Sequence, residues 1–339
     1  MASLSCLQAP SPFEHELNCG LSIETLLQNF EQQWVTIFGM PWSSLPMSLI
    51  HSHAHVRLSV LALSACHLRH HLPDTTIACR TEQICQAAAL HAYQDALNVP
   101  FDDLGQDGTD ALLVTAMIFN TLSFVLPSHE DEADCNMPDI SRSWVFSPRE
   151  DRLGWIGIEM GLKPLLKATS QYRDGSALGP IFDAADNEER TLTSNGLSLS
   201  KVPTTWLNVF GLLEVNSQGT IDPQASVFRE PLRIIAEIRH LRPTLVNMLR
   251  YVQFIGKLTS EFRDLLFNRD SRALWLFGFW LGLMCRFENL WWLNRRPRRD
   301  FKAVCQWLKE VGLAEQPGIK GVLWREMIRD SEQANRLPR

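Results

Sequence analysis

Apolar residues in this chain return every three or four positions and nowhere every second one. That rhythm suits amphipathic helices and leaves no basis for a sheet. Ile23, Leu26, Leu27, Phe30, Trp34 and Phe38 form one such stripe, stopped by Gly39 and Pro41. The same reading predicts helices over 46–72, 81–97, 110–126, 152–168, 206–213, 224–241, 245–267, 271–293, 301–313 and 320–333. Asp107 or Thr109 is the expected cap of the fourth. The fold class that follows is all-α: a single compact domain of about ten helices, with short connections that favour antiparallel neighbours.

At 339 residues and 45% hydrophobic content the chain can enclose a large core, burying about 75% of its unfolded surface at this size. The domain is expected over residues 20–333, behind a flexible N-terminus at 1–19. Mobile loops are expected near 127–143, where Glu130, Asp131, Glu132 and Asp134 cluster, and near 171–204, which Gly175, Gly179, Pro180, Gly196 and Pro203 interrupt. The first residues carry no basic stretch followed by an apolar one, so no secretory signal is expected. Ala273 to Cys285 is the most apolar run. It falls short of the ~20 residues a membrane span needs, and it reads as a buried helix.

A formal net charge of −6 gives the whole chain no attraction for phosphate backbones. Arg295, Arg296, Arg298 and Arg299, set around Pro297, are the one dense basic cluster. They read either as a nuclear-import or phosphate-binding segment, or as punctuation between two helices. None of the eight cysteines forms a C-x-x-C pair, and Cys66, Cys285 and Cys305 sit in apolar helical patterns, as buried free thiols do. His51 and His55, and His67 and His71, are each spaced as a helical turn. Helix-surface or satisfied core histidines explain them better than a metal, because no H-E-x-x-H accompanies them. No G-x-S-x-G elbow exists, Cys66 and His67 diverge as sequence neighbours on a helix, and Gly154 to Gly161 follow no strand. No catalytic residue, metal ligand or cofactor is therefore assigned.

The order of motifs carries a resemblance. Leu49-Ile50-His51-Ser52-His53-Ala54-His55-Val56 with Leu61-Ala62-Leu63-Ser64-Ala65-Cys66-His67-Leu68 resembles the "hAvlAlsAlHL" helix of fungal regulators. Ala89-Leu90-His91-Ala92-Tyr93-Gln94 is similar to the next helix of that family, and Asp110-Ala111-Leu112 to the start of the one after. The most specific block is Ser143-Trp144-Val145-Phe146-Ser147 followed by Leu153-Gly154-Trp155 and Gly161-Leu162-Lys163-Pro164-Leu165-Leu166. It resembles "SWLFS…LGWLxxxxGLKPLL" of the sterol-uptake-control type. Trp291-Trp292 resembles the closing helix. The likeness runs from about Phe13 to Leu313 and points to the regulatory domain of the binuclear-zinc-cluster transcription factors.

The resemblance implies a helical domain in the nucleus that regulates metabolic or secondary-metabolite genes. No C-x-x-C-x6-C run precedes Phe13, so DNA binding is expected to be indirect, or to rest on a cluster upstream of this sequence. The partners implied are a hydrophobic small molecule, a DNA-binding or co-regulator protein, and a second copy of the chain. Candidate ligand-lining residues are Trp144, Trp155, Trp275, Phe279, Trp280, Met284 and Trp291. The competing reading is an enzyme or accessory protein of a biosynthetic pathway built on the same fold.

Overall fold

The computed structural model describes residues 20–38, 47–72, 76–125, 140–149, 153–176, 178–179, 199–213 and 223–337. Among them are fourteen α-helices, four 3-10 turns and no strand, so the chain is all-α. The expected N-terminal tail, most of both expected loops, and Cys6, Cys19 and Cys135 lie outside the described residues. The chain divides into two compact units, Met1–Leu122 with Ala168–Leu178, and Ser123–Lys167 with Gly179–Arg339.

The first unit holds α1 (Ile23–Phe38), α2 (Met47–Ser52), α3 (Ala54–His71), α4 (Thr76–Leu97) and α5 (Phe101–Ser123, its last residue across the boundary). The Ser22 hydroxyl caps α1 by accepting from the Thr25 amide at 3.1 Å. Helix α3 is the centre, buried from Ser59 through His67. Its small residues let neighbours approach closely: the Ser64 hydroxyl donates to the Leu26 carbonyl of α1 at 2.7 Å and accepts from the Asn29 amide at 2.8 Å. On its other side Arg69, 3% exposed, is forked onto Glu82 of α4. A 3-10 turn, Ser170–Gly175, lies along the start of α5. There the Tyr172 hydroxyl donates to the Phe101 carbonyl and the Ser176 hydroxyl to Asp110.

The second unit holds α6 (Gly154–Ala168, its last residue across the boundary), α7 (Thr204–Val209), α8 (Pro223–Ser226), α9 (Arg229–Ile238) and α10 (Leu245–Gly256). After these come α11 (Ser260–Phe267), α12 (Ser271–Met284), α13 (Arg296–Glu310) and α14 (Ile319–Glu332). The Asp270 carboxylate caps α12, accepting from the amides of Arg272 and Ala273 at 2.9 and 3.0 Å. The residue before it, Arg269, carries a left-handed φ of 58°, which closes α11 against the start of α12. Every residue of α12 from Ala273 to Met284 is buried. Gly278 and Gly282 make that possible. A Cβ on Gly278 would lie 2.5 Å from Val304 of α13, and one on Gly282 2.7 Å from Ala334 and 2.8 Å from Phe301.

The helix count exceeds the expected ten because long stripes are interrupted. The 46–72 stripe breaks at His53, whose backbone is extended (φ −121°, ψ 116°). The 245–267 stripe breaks after Gly256, and the Thr259 hydroxyl restarts it by accepting from the Phe262 amide at 3.3 Å. The 224–241 stripe breaks between Ser226 and Arg229, and the 271–293 helix ends at Met284. Within α5 a short helical segment directly after Pro100 precedes the expected helix, and Gly105, at non-helical φ 62° and ψ −166°, kinks the chain before the run that carries Asp110. Thr109 is thus buried inside it rather than capping it. Helix α13 begins at Arg296 with Pro297 in its first turn, five residues earlier than the apolar stripe indicates. No described helix is long and apolar enough to cross a membrane.

Candidate functional site

The aromatic residues of α12 divide between two sides. On one, Trp275 and Phe279 meet Trp206 of α7 edge-on, with ring centroids 4.8 and 5.1 Å apart. On the other, Trp280 stacks on Phe254 of α10 at 5.5 Å, and Phe277 lies 6.0 Å from Trp155 of α6. Trp275, Trp280 and Met284 have no exposed surface, and Phe279 is 4% exposed. A buried indole N–H needs an acceptor. Trp275 donates to the Met327 carbonyl at 2.6 Å, Trp280 to the Tyr251 carbonyl at 2.8 Å and Trp206 to Asp330 at 2.9 Å. These side chains therefore hold α7, α10 and α14 around one helix, and the candidate lining residues of α12 serve as the packed centre of the second unit. Trp291 is buried in a 3-10 turn, and its neighbour Trp292 joins this ring ladder through Phe124 at 5.5 Å.

Trp144 and Trp155 come together elsewhere, at the first turn of α13. The Arg296 guanidinium sits 4.7 Å from the centre of the Trp144 ring and 5.5 Å from that of Trp155, and it donates to the Val125 carbonyl at 3.4 Å. Such a cation over two π-faces is attractive, the more so when desolvated. One turn on, Asp300 is fully buried and accepts from the Ser143 hydroxyl at 2.9 Å and the Trp144 amide at 3.3 Å. Arg299 flanks it at 3.7 Å. The two halves of the "SW…LGW" block, separated by residues 150–152 outside the described set, are thus gathered by residues of the basic cluster. Within that cluster Arg296 and Arg299 are 4% and 9% exposed and Arg295 is half-buried, while Arg298 is exposed. Pro297 starts a new helix, as the punctuation reading has it, but the cations open α13 instead of ending α12, so they sit at the positive end of the helix dipole, where they are unfavourable.

Burial decides the buried acids and bases. Glu159, one turn after Trp155 on α6, is 3% exposed, and burial pushes its carboxyl up to about 8 although the Ser123 hydroxyl donates to it at 2.9 Å. It is therefore mostly protonated at neutral pH. Burial also raises Asp300, with Arg299 and Arg296 opposing. In the first unit burial lowers His55 and His67 to about 4, helped by neighbouring histidines. The Nδ1 of His55 pairs with the Thr115 hydroxyl at 2.8 Å, and its ring faces Tyr93 of α4 at 6.0 Å.

The break at His53 puts His51 and His55 on different helices, whereas His67 and His71 share α3 with rings 4.4 Å apart. Among the described residues no group of three or more His, Cys, Asp or Glu could hold a metal ion. Cys66, Cys79, Cys85, Cys285 and Cys305 are in no disulfide, and burial raises the thiols of Cys66, Cys85, Cys285 and Cys305, to about 12 for Cys85 and Cys285 and about 11 for Cys305. Such thiols are poor nucleophiles.

Glu159 and Asp300 are the functional-looking residues that periodicity did not single out. Each had a signal: Glu159 lies on the apolar stripe of Trp155 and Ile156, and Asp300 is the lone acid beside four arginines. No family model, curated protein or solved structure matches the chain.

Proposed function

We propose that this chain is the regulatory part of a fungal transcription regulator of the binuclear-zinc-cluster type, governing a metabolic or secondary-metabolite pathway. The observation that carries this reading is the clasp at α13. The residues on which the resemblance is most specific, Ser143, Trp144 and Trp155, are held by Arg296 and Asp300, although 157 positions separate Ser143 from Asp300. The buried thiols are poor nucleophiles and the His55 ring is committed to the Thr115 hydroxyl, which suits a domain that packs and switches better than one that makes or breaks bonds.

Regulation then works by shifting the population of a masked and an exposed partner surface, and any effector acts only through its differential affinity for the two. A hydrophobic effector would have to part the packed rings of Trp155, Trp275, Phe279 and Trp280, which fill the centre of the second unit. DNA contact comes from a zinc cluster elsewhere or from a partner protein.

The test is a tethered reporter. The chain is fused to a heterologous DNA-binding domain in a fungal host and reporter output is compared with the DNA-binding domain alone. We expect a change in output in either direction, abolished by Arg296→Ala in a variant whose helical circular dichroism is unchanged. Output identical to the control for the intact chain removes the reading.

A further inference from the structure

Residues 168–178 form a strap that belongs to the first unit, although the chain on either side of it belongs to the second. The 3-10 turn within it, Ser170–Gly175, has no buried residue, and its flanks are anchored by Thr169 and Leu178 at 3% and 4% exposure. What clasps the strap to α5 is polar. Gln171 donates to Asp102 at 3.0 Å, the Tyr172 hydroxyl to the Phe101 carbonyl at 3.1 Å and the Ser176 hydroxyl to Asp110 at 2.5 Å. Asp110 is 4% exposed and also accepts from Gln106 at 3.2 Å. Ser176 thus closes the strap on a buried carboxylate, and its oxygen accepts in turn from the Leu178 amide at 3.0 Å. A segment with so little burial opens locally at small cost.

Arg173 is the only arginine of the chain with a serine three positions on, and that serine is Ser176. Both are half-buried, and the Ser176 backbone is extended (φ −71°, ψ 136°). A cation at a fixed step before a hydroxyl is the kind of charge pattern by which protein kinases choose their substrates. The stretch of α5 beneath the strap is acidic: Asp102, Asp103 and Asp107 are exposed on it, and Asp110 is buried in it.

We propose that Ser176 is a phosphorylation site for a protein kinase that reads the Arg173 cation, and that phosphate there releases the strap from α5. In the transfer the Ser176 oxygen bonds to the γ-phosphorus of a nucleoside triphosphate. The bond from that phosphorus to the bridging oxygen breaks, the nucleoside diphosphate leaves, and the hydroxyl proton passes to the base of the kinase. The Ser176 oxygen then has no proton to give Asp110. A phosphate of about −2 charge stands instead against the buried carboxylate, so repulsion is added to the lost hydrogen bond.

Two readouts on the full chain test this, and neither shares its outcome with the tethered reporter. The first is incubation with ATP and a kinase selective for arginine three positions before the acceptor, followed by site-resolved mass spectrometry. Ser176 should take phosphate, and the mapping tells it apart from Thr193, which has Arg190 at the same spacing. Arg173→Ala should slow incorporation at Ser176 at least about tenfold. The second is hydrogen–deuterium exchange over 169–178, where the amides of Tyr172, Ser176 and Leu178 are bonded to the Thr169 and Arg173 carbonyls and the Ser176 hydroxyl. Phosphorylation should speed that exchange roughly tenfold to a hundredfold, the range a hydrogen bond to a charged group carries. Asp110→Asn removes the opposing charge and should erase most of the effect of the phosphate. If that buried change costs the helical circular dichroism, Ser176→Asp is compared with Ser176→Asn, and the acid should exchange faster. A folded chain that takes no phosphate at Ser176, or takes it equally fast in Arg173→Ala, would overturn the site. A phosphorylated strap that exchanges no faster than the unmodified one, or an acid at 176 no faster than the amide, would overturn the release.

Discussion

Helices α3 and α12 are the centres of their units, and they solve the same burial problem with opposite chemistry. Each buries twelve residues. In α3 those include His55, Ser59, Ser64, His67 and Arg69, so the helix is joined to α1, α4 and α5 by hydrogen bonds and one ion pair. In α12 none is charged. Rings and two glycines fill the space, and the only polar atoms are indole N–H groups bonded to Met327 and Tyr251 carbonyls. A centre of small polar residues is fixed by the directions of its hydrogen bonds. A centre of rings is fixed by volume, because interiors are close-packed and tolerate neither a void nor an added methyl.

Volume predicts the largest loss on the α12 side. Trp275→Ala removes a fully buried indole and leaves the Met327 carbonyl without its donor; it should cost about 3–5 kcal/mol. The midpoint of urea unfolding followed by tryptophan fluorescence measures it, and a Trp275→Phe variant should recover most of the loss.

The ion pair predicts a loss of similar origin but different repair on the α3 side. Arg69→Ala strands Glu82, whose side chain is 13% exposed, and should cost ~3 kcal/mol. The double variant Arg69→Met with Glu82→Leu should regain much of that in a double-mutant cycle. If the double variant is no better than the single, the polar account of α3 is wrong.

The close approach of α13 comes next. Gly278→Ala should cost about 1–3 kcal/mol through overpacking against Val304. Val304→Ala in the same chain should restore part of it, measured by the same midpoint.

The pH dependence has a sign that separates the two helices' neighbourhoods. Glu159 rises from 4.5 to about 8 on folding, so between those values the folded state holds more protons and its contribution to stability falls as pH rises. His55 and His67 drop from 6.5 to about 4, so the unfolded state holds more protons and their contribution falls as pH drops through that window. Glu159→Gln should remove the fall between about pH 4.5 and pH 8 and leave the histidine-linked loss on acidification in place, with stability measured at fixed urea from pH 4 to pH 9.

The sequence by itself determined the helical class, the α1 bounds and the buried nature of Ala273 to Met284, since period and hydrophobicity are properties of neighbouring residues. It also marked the SW…LGW block and the arginine cluster as unusual. It could not show that these two meet. Ser143, Trp155 and Arg296 lie far apart in the chain, and what joins them is a cation–π contact and a buried carboxylate that exist only once α6 and α13 are packed. The helix ends at His53 and Met284 and the kink at Gly105 likewise follow from packing and local backbone geometry, which a stripe of apolar residues does not encode. The protonation of Glu159 is a tertiary fact in the same sense: a carboxyl has an ordinary affinity for its proton until surrounding side chains exclude the water that would stabilise its charge.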